Sequence, residues 1–306
     1  MQTTARTPTQ MQSAAIHLQP VHPLAALAKQ ALFAEADLTP KPGLVDRRGS
    51  GAHHDLSLEL MRRSAAALEP YFSQMAFLSA HRELCTGLRE ELASVGRDAE
   101  RAMYSCTGGS NAHKGAIWIL GLLVAAAARK HHQSAREITA AAGAIARLPD
   151  QALPVLVTHG DIVRSRYGAA GARGEAADNF PHLMEFGLPM LRKQRACGYS
   201  EEVSRLDALL NIMSALDDTC VLYRGGADAL ATVKTGAKAV LLAGGCGHVN
   251  GRKQLERLDR ALMASNISPG GSGDLLAATI FLDGVETQHR DVHEDCSEEE
   301  AGNGAP

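Results

Sequence analysis

Residues 116–128 read AIWILGLLVAAAA, the longest apolar run in the chain. A helix that spans a bilayer needs roughly 20 apolar residues, so this run is too short for a membrane and indicates a helix buried in a protein core. Ala and Leu dominate the apolar residues elsewhere as well, and only 4% of the chain is aromatic. Because β-sheets favour β-branched and aromatic residues, this composition predicts helices packed on helices.

Helical patterns continue on both sides of the apolar run. Before it, we expect a helix over 24–38 that ends at the proline-containing segment 39–43, and two helices between 57 and 95. After it, Ser134 and Glu137 have the spacing of a capping box. The further predicted helices span residues 135–148, 153–166, 175–196, 201–216, 226–242, 251–264 and 272–283. A short buried strand over 239–243 is the one alternative to helix. The predicted fold is therefore all-α, a single multi-helix bundle whose Gly-rich loops form the active site.

The two ends of the 306-residue chain differ in composition from its middle. We expect residues 1–20 to be a disordered leader, 21–287 a helical catalytic domain, and 288–306 an acidic disordered tail. The formal net charge of -3 argues against a general nucleic-acid binder. The N-terminus has no apolar run of signal-peptide length, and no run in the chain is long enough for a membrane span. The six cysteines lack Cys-x-x-Cys spacing, which indicates free thiols and a cytoplasmic location.

Five segments combine Gly with His and charged residues, at 39–55, 107–115, 159–176, 217–226 and 266–277. Glycines and helix N-termini bring backbone N–H groups close to phosphates. Arg adds a two-pronged grip on a phosphate and Lys adds a point charge. The candidate phosphate- and nucleotide-binding residues are Lys41, Lys114, Arg173, Arg224, Gly108, Gly109, Gly270, Gly271 and Ser272. The segment around Lys114 is not a Walker A motif, because no Ser or Thr follows the lysine.

The same segments hold the candidate catalytic groups, which are Asp274, Glu175, Asp46, His113 and His53. Carboxylates and imidazoles are the usual general acids and bases. Asp218 and Asp274 are also candidate Mg²⁺ ligands, because Mg²⁺ prefers oxygen. Each of these residues has a structural interpretation too, since carboxylates and hydroxyls cap helices and surface charges form solvated pairs.

Six segments, taken together and in order, resemble the triphosphoribosyl-dephospho-CoA synthase family that serves citrate lyase and malonate decarboxylase. They are TPKPGLVD (39–46), GAHHD (51–55), NAHKG (111–115), GARGEA (171–176), DTCVLYRGG (218–226) and SPGGSGDLLA (268–277). The resemblance covers about residues 25 to 285. Three positions depart from the expected pattern, namely Ala112 in place of Thr, Tyr223 in place of His and Gly273 in place of Ala.

The resemblance implies an all-α enzyme that uses ATP and 3′-dephospho-CoA, with Mg²⁺ as the expected cofactor. In this reaction the 2′-hydroxyl of dephospho-CoA attacks C1′ of ATP and adenine leaves, and the product passes to a carrier-protein transferase. We expect Asp274 to be the general base, Asp218 to bind Mg²⁺, and His53 or His113 to donate a proton to adenine. The segment DRRGSG (46–51) favours the malonate decarboxylase branch. A homodimer remains open.

Three alternatives remain open at this stage. The segment GSGD (271–274) is also typical of ribokinase-like kinases, whose fold needs a β-sheet with βα alternation. An all-α, Mg²⁺-dependent hydrolase of ADP-ribose links would attack the same ribose carbon with water. A non-catalytic nucleotide-binding adaptor of a carrier protein would bind ATP without releasing adenine.

Overall fold

The computed structural model describes residues 20–129, 134–151 and 158–302, with side chains up to residue 288. The α-helices are α1 (Pro23–Asp37), α2 (Leu58–Ser79), α3 (Thr86–Thr107), α4 (Lys114–Ala127), α5 (Ala135–Arg147), α6 (His159–Tyr167), α7 (Gly171–Ala177), α8 (Leu188–Ala196), α9 (Glu201–Ala215), α10 (Thr219–Leu242), α11 (Val249–Ala264) and α12 (Gly270–Gly302). A π-helical turn, Leu183–Gly187, precedes α8. These residues contain no β-strand, only an isolated bridge between Asp46 and Gly49. The all-α prediction is confirmed.

Helix α4 is the apolar run and lies at the centre of the larger hydrophobic core. Eleven of its fourteen residues are buried, and it packs against α1, α2, α3, α5, α7 and α12. Leu120 and Leu123 are fully buried, and burial of such a side chain contributes about 1.5–3 kcal/mol. No helix in the described part of the chain is long and apolar enough to cross a membrane.

A second hydrophobic cluster forms where α9, α10 and α11 meet. Leu209, Val233 and Leu258 belong to it, and Leu276 of α12 completes it. The neighbouring Leu275 packs into the core around α4 instead. The first turns of α12 therefore lie between the two clusters, and this position fixes the residues at the start of α12.

The predicted single helix over 175–196 is wrong. The backbone leaves the helical conformation at Asn179 and Phe180, whose φ angles are 62° and 61°. Phe180 is fully buried, and its N–H donates to the carbonyl of Glu175 at 2.8 Å. Packing of this aromatic ring in the core overrides the local helical pattern, and the chain resumes as the π-helical turn and α8.

The other predicted helix boundaries lie closer to the observed ones. Helix α10 begins at Thr219 rather than 226 and bends at Gly226, whose φ of 68° lies in the left-handed region. The strand alternative at 239–243 is wrong, because α10 continues to Leu242. The capping box at Ser134 and Glu137 is confirmed. Part of the predicted helix over 153–166 lies outside the described residues.

Of the two predicted tails, the structure describes most of the second and almost none of the first. Backbone in the stretch from 288, expected to be a disordered tail, is helical up to Gly302 as the end of α12. Residues 1–19 and 303–306 lie outside the described residues.

Candidate active site

Asp274 lies where the N-terminal ends of α4 and α12 meet. Its carboxyl group accepts a hydrogen bond from the backbone N–H of Ala116 and lies against Gly115. Burial, followed by the charges of Glu35 and Asp218, raises the pKa of Asp274 well above its ordinary value. The side chain nevertheless keeps some accessible surface. A carboxyl group that is largely buried yet retains some accessible surface can hold and release a proton.

The negative charge beside Asp274 is balanced by a buried ion pair. The ammonium Nζ of Lys41 donates to Glu35 Oε1 at 2.5 Å and to the Glu35 carbonyl at 2.6 Å. Lys41 is 1% exposed and Glu35 is 4% exposed. Glu35 lies in the last turn of α1. The ammonium group of Lys41, which was predicted to bind phosphate, is therefore already paired inside the protein.

Asp218 joins the N-terminal ends of α10 and α12. It caps α10 by accepting from Cys220 N at 2.9 Å. It also accepts from Ser272 N at 2.8 Å, from Ser272 Oγ at 2.9 Å and from Gly271 N at 3.4 Å. Burial raises its pKa while these donors lower it. With four donors on two oxygens, Asp218 has a structural role that keeps Asp274 in position.

Asp46 holds the loop after α1 in shape. It accepts from Lys41 N at 2.9 Å, from Arg48 N at 2.7 Å and from the Arg48 guanidinium at 2.8 Å. Arg48 also pairs with Asp259 of α11 at 2.7 Å. The carboxylate of Asp46 is therefore committed to its own loop and is 2% exposed.

His53 connects three of the predicted loops. Its Nε2 lies 2.8 Å from Ser268 Oγ, and its Nδ1 lies 3.3 Å from Arg224 Nη2. Burial, then the charge of Arg224, lowers the pKa of His53 to about 4. Arg224 is exposed, and within the described residues no carboxylate lies within ion-pair distance of it. This guanidinium is available to an anion, and His53 is neutral near pH 7.

His113 is buried just before α4. Its Nδ1 lies 2.8 Å from Ser64 Oγ, whereas its Nε2 has no hydrogen-bond partner among the described residues. Burial, then the charge of Lys41, lowers its pKa to about 3. Neither predicted histidine is therefore an imidazolium acid at neutral pH in this structure.

Lys114 and Arg173 line a separate cavity of about 190 Å³ between α3 and α4. Lys114 pairs with Glu100 at 3.2 Å. Arg173 is exposed and has no hydrogen bond or ion pair with any described residue. Asp274 does not line this cavity, but Gly115, next to Lys114, contacts Asp274. The two sites are therefore adjacent across the first turn of α4.

The remaining predicted residues have local partners. Glu175 accepts from His182 N at 2.9 Å and lies 2.7 Å from His182 Nδ1, which raises the pKa of His182. Gly108 and Gly109 end α3 with φ angles of 69° and 97°. Gly171, before Arg173, lies beside Thr219 of α10.

The family described as ATP:dephospho-CoA triphosphoribosyl transferase (CitG) matches residues 22–292. The chain belongs to this family. As a member of it, the chain is a transferase, and the helical residues described above fall almost wholly inside the matched region.

Three relatives of this transferase carry the name probable 2-(5''-triphosphoribosyl)-3'-dephosphocoenzyme-A synthase. The protein from Pseudomonas putida is 52% identical over 261 residues, 85% of this chain and 93% of the relative. The one from Pseudomonas fluorescens (strain Pf0-1) is 50% identical over 279 residues, 89% and 96% of the two chains. The one from Azotobacter vinelandii is 51% identical over 265 residues, 86% and 91% of the two chains. No solved structure matches this transferase.

Several site residues of the transferase were not anticipated from its sequence. Glu35 lies within α1, and Ser268 lies in a candidate segment without having been named as a site residue. A signal existed for Glu35, because Ala28, Ala31 and Leu32 mark the buried face of α1 and Glu35 continues that face at helical spacing. A carboxylate on an apolar helix face needs a partner, and here the partner is Lys41.

Cysteine chemistry is not part of the site. The cysteines with described side chains are free, and burial raises the pKa of the Cys220 thiol far above its ordinary value. A thiol in that state is a poor nucleophile.

Proposed function

We propose that this transferase moves the 5-triphosphoribosyl group of ATP to the 2′-hydroxyl of 3′-dephospho-CoA. The hydroxyl oxygen forms a bond to C1′ of the ATP ribose, and the bond from C1′ to adenine breaks. Asp274 takes the hydroxyl proton, and the departing adenine gains a proton from solvent. The triphosphate stays on the transferred ribose.

The position and pKa of Asp274 are the observation that carries this proposal. A general base works best when its pKa lies near the working pH, and burial beside Glu35 and Asp218 moves the pKa of Asp274 in that direction. Its proton must be lost before it acts, so the reaction needs a pH above that raised pKa. The carboxylate then also stabilises positive charge on the ribose as the bond to adenine breaks.

Adenine departs without an imidazolium acid in this proposal. His53 and His113 have lowered pKa values of about 4 and about 3. At neutral pH either one can offer only the hydrogen bond of a neutral ring. Of the two, His53 is the better placed, because it lies beside the exposed Arg224.

Arg224 and Arg173 are the cations we assign to substrate phosphates. Both are exposed and lack a carboxylate partner among the described residues. Lys114, which pairs with Glu100, adds a further positive charge for the substrate phosphates. Lys41 supports the reaction indirectly, because its ammonium group neutralises Glu35 next to Asp274.

We assign Mg²⁺ to the ATP substrate rather than to a resident protein site. Among the described residues, no three His, Cys, Asp or Glu side chains are grouped to hold a metal ion. The oxygens of Asp218 are already occupied by four donors. Mg²⁺ commonly binds through substrate phosphates and few protein ligands, which this donor set permits.

Product analysis tests the proposal. Purified chain is incubated with ATP, Mg²⁺ and 3′-dephospho-CoA, and the mixture is examined for free adenine and for the mass of the joined product. A kinase would give ADP, a hydrolase would give a free ribose phosphate, and an adaptor would leave ATP intact. Appearance of any of these in place of the joined product overturns the proposal. The absence of a sheet from the described residues already counts against the kinase.

The use of the product extends the proposal further. We assign the product to a carrier-protein transferase of the malonate decarboxylase pathway, on the segment DRRGSG, and a cytoplasmic location on the free thiols. Within this segment Arg48 forms ion pairs with Asp46 and Asp259. Uptake of the product by one isolated carrier protein and not another would test it, and the oligomeric state of the purified chain would decide whether it is a homodimer.

A further inference from the structure

The cavity between α3 and α4, here called the trough, is lined by both cations and apolar side chains. Its lining includes Arg89, Arg97, Lys114, Arg173, Leu92 and Leu122. The positions on α3 run from Arg89 to Glu100, which is about 16 Å along a helix at 1.5 Å per residue. A long, thin ligand matches this shape.

Arg89 is the strongest sign that the trough binds an anion. It is 5% exposed, and its Nε has no hydrogen-bond partner among the described residues. Its guanidinium lies over the ring of Trp118, 5.0 Å from the ring centre, and burial lowers its pKa. The ring of Trp118 and the charge of Asp150 offset part of the cost of burying this cation, but a buried N–H without a hydrogen-bond partner remains costly. A bound anion would relieve that cost.

The other charges of the trough leave an excess of positive charge. Arg97 pairs with Asp150 at 2.9 Å, and Lys114 pairs with Glu100 at 3.2 Å. Arg173 lines the trough and forms no hydrogen bond or ion pair with any described residue. Four cations face two carboxylates, so a ligand with about two negative charges would neutralise the trough.

The chemistry of the walls changes along the trough. Lys114 begins α4 beside Gly115, which contacts Asp274. Arg97 and Trp118 follow on the two walls, then Leu92 and Leu122, and Arg89 is the lining residue of α3 farthest from Glu100. A ligand that starts at Asp274 therefore meets both cations and apolar side chains along the trough.

We propose that this trough binds the diphosphate and pantetheine limb of 3′-dephospho-CoA, with Arg89 and Arg173 on the diphosphate and the apolar side chains of the trough around the pantetheine chain. This inference rests on the proposed function, and it names the subsite of one of its two substrates. The adenosine ribose of dephospho-CoA then lies at Asp274. The triphosphate of ATP is a poorer occupant, because nothing apolar follows its last phosphate.

Trp118, the only tryptophan of the chain, reports on the trough directly. Its fluorescence is titrated with 4′-phosphopantetheine, with 3′-dephospho-CoA and with ATP in the presence of Mg²⁺. The first two should change the emission and compete with each other, and ATP should not compete with them. Failure of 4′-phosphopantetheine to compete with dephospho-CoA, or competition by ATP, overturns the inference.

Two variants sharpen the test. Arg89→Met removes a charge-assisted bond, which is expected to weaken 4′-phosphopantetheine about 10- to 100-fold. Arg101→Met is the control, because Arg101 lies exposed on the same helix and pairs with Asp98. Without ligand, Arg89→Met should raise the Tm, since it removes a buried charge whose Nε has no hydrogen-bond partner among the described residues. Native affinity, or a lowered Tm that shows a purely structural role for Arg89, contradicts the inference.

A third variant separates this inference from the proposed function. Ala93 lines the trough. Ala93→Leu narrows it and should raise KM for dephospho-CoA at least tenfold, with KM for ATP unchanged. Product formation with native KM values in this variant contradicts the assignment of the trough to dephospho-CoA and leaves the proposed function intact. Binding of 4′-phosphopantetheine by a chain that never makes the joined product overturns the proposed function alone.

Discussion

Gly115→Ala tests whether the carboxyl group of Asp274 must sit where the structure has it. A Cβ atom at residue 115 would collide with Asp274 Oδ2. The carboxyl group therefore has to withdraw by about 1 Å, and a displacement of that size at a reacting group can slow turnover about 10²-fold. This corresponds to about 2.7 kcal/mol of activation free energy. Because KM reflects contacts elsewhere, the loss should fall mainly on kcat.

The assay is the rate of adenine release at saturating ATP and dephospho-CoA. Gly87→Ala is a matched control, because Gly87 is the second residue of α3 as Gly115 is of α4, and a Cβ atom at residue 87 would meet only Cys85 Sγ, at 3.9 Å. The control should keep native activity and gain about 0.5–1 kcal/mol in stability, as expected for Gly to Ala in a helix. A folded Gly115→Ala chain with kcat within threefold of native would refute the reasoning.

Four further predictions concern Asp274, Lys41 and Arg224. Asp274→Asn removes the general base, so kcat should fall by about 10²–10⁴-fold, and a folded variant that loses less than tenfold rules out that role. Asp274 has a pKa raised above its unfolded value, so the native free energy of unfolding should fall as pH rises from about 3.9 through the raised value. Urea titrations at several pH values should show that this part of the decline is missing in Asp274→Asn. Lys41→Met leaves the buried carboxylate of Glu35 without its partner and should lower the free energy of unfolding of the protein by about 3–5 kcal/mol. Glu35→Leu together with Lys41→Met should recover most of that loss. Additive effects of the two substitutions would contradict the buried pair. Arg224→Met should raise KM for one of the two nucleotide substrates about 10- to 100-fold. Arg260→Met, at an exposed position of α11, is the control. An unchanged KM for both substrates would remove Arg224 from the site.

The helical fold could be predicted because its signals are local. Apolar spacing, the capping box at Ser134 and the proline-rich end of α1 each act within a few residues. The break at Phe180 could not be predicted in this way, because the ring is held in a core contributed by distant helices. The early start of α10 at Thr219 likewise depends on Asp218, whose other partners lie on α12.

The sequence marked candidate loops but not the state of their charges. Glycines and charged residues pointed to the segments that begin α4, α10 and α12, and α4 and α12 meet at Asp274, whereas Arg173 lies at a separate cavity. Which charges are available depends on partners far away in sequence, as with Lys41, whose ammonium is taken by Glu35. Arg89 gave no loop signal at all, since it lies inside α3, and its significance comes from a cavity that only the packing of α3 on α4 creates.

The pH dependence of kcat/KM for dephospho-CoA tests the central claim most directly, because this quantity reports the essential groups of the free enzyme. If Asp274 is a base with a raised pKa, kcat/KM rises with pH along a limb whose midpoint lies well above about 3.9, the ordinary value for aspartate. The residual activity of Asp274→Asn should lack that limb. A limb that persists unchanged in Asp274→Asn would place the essential base elsewhere and contradict this account.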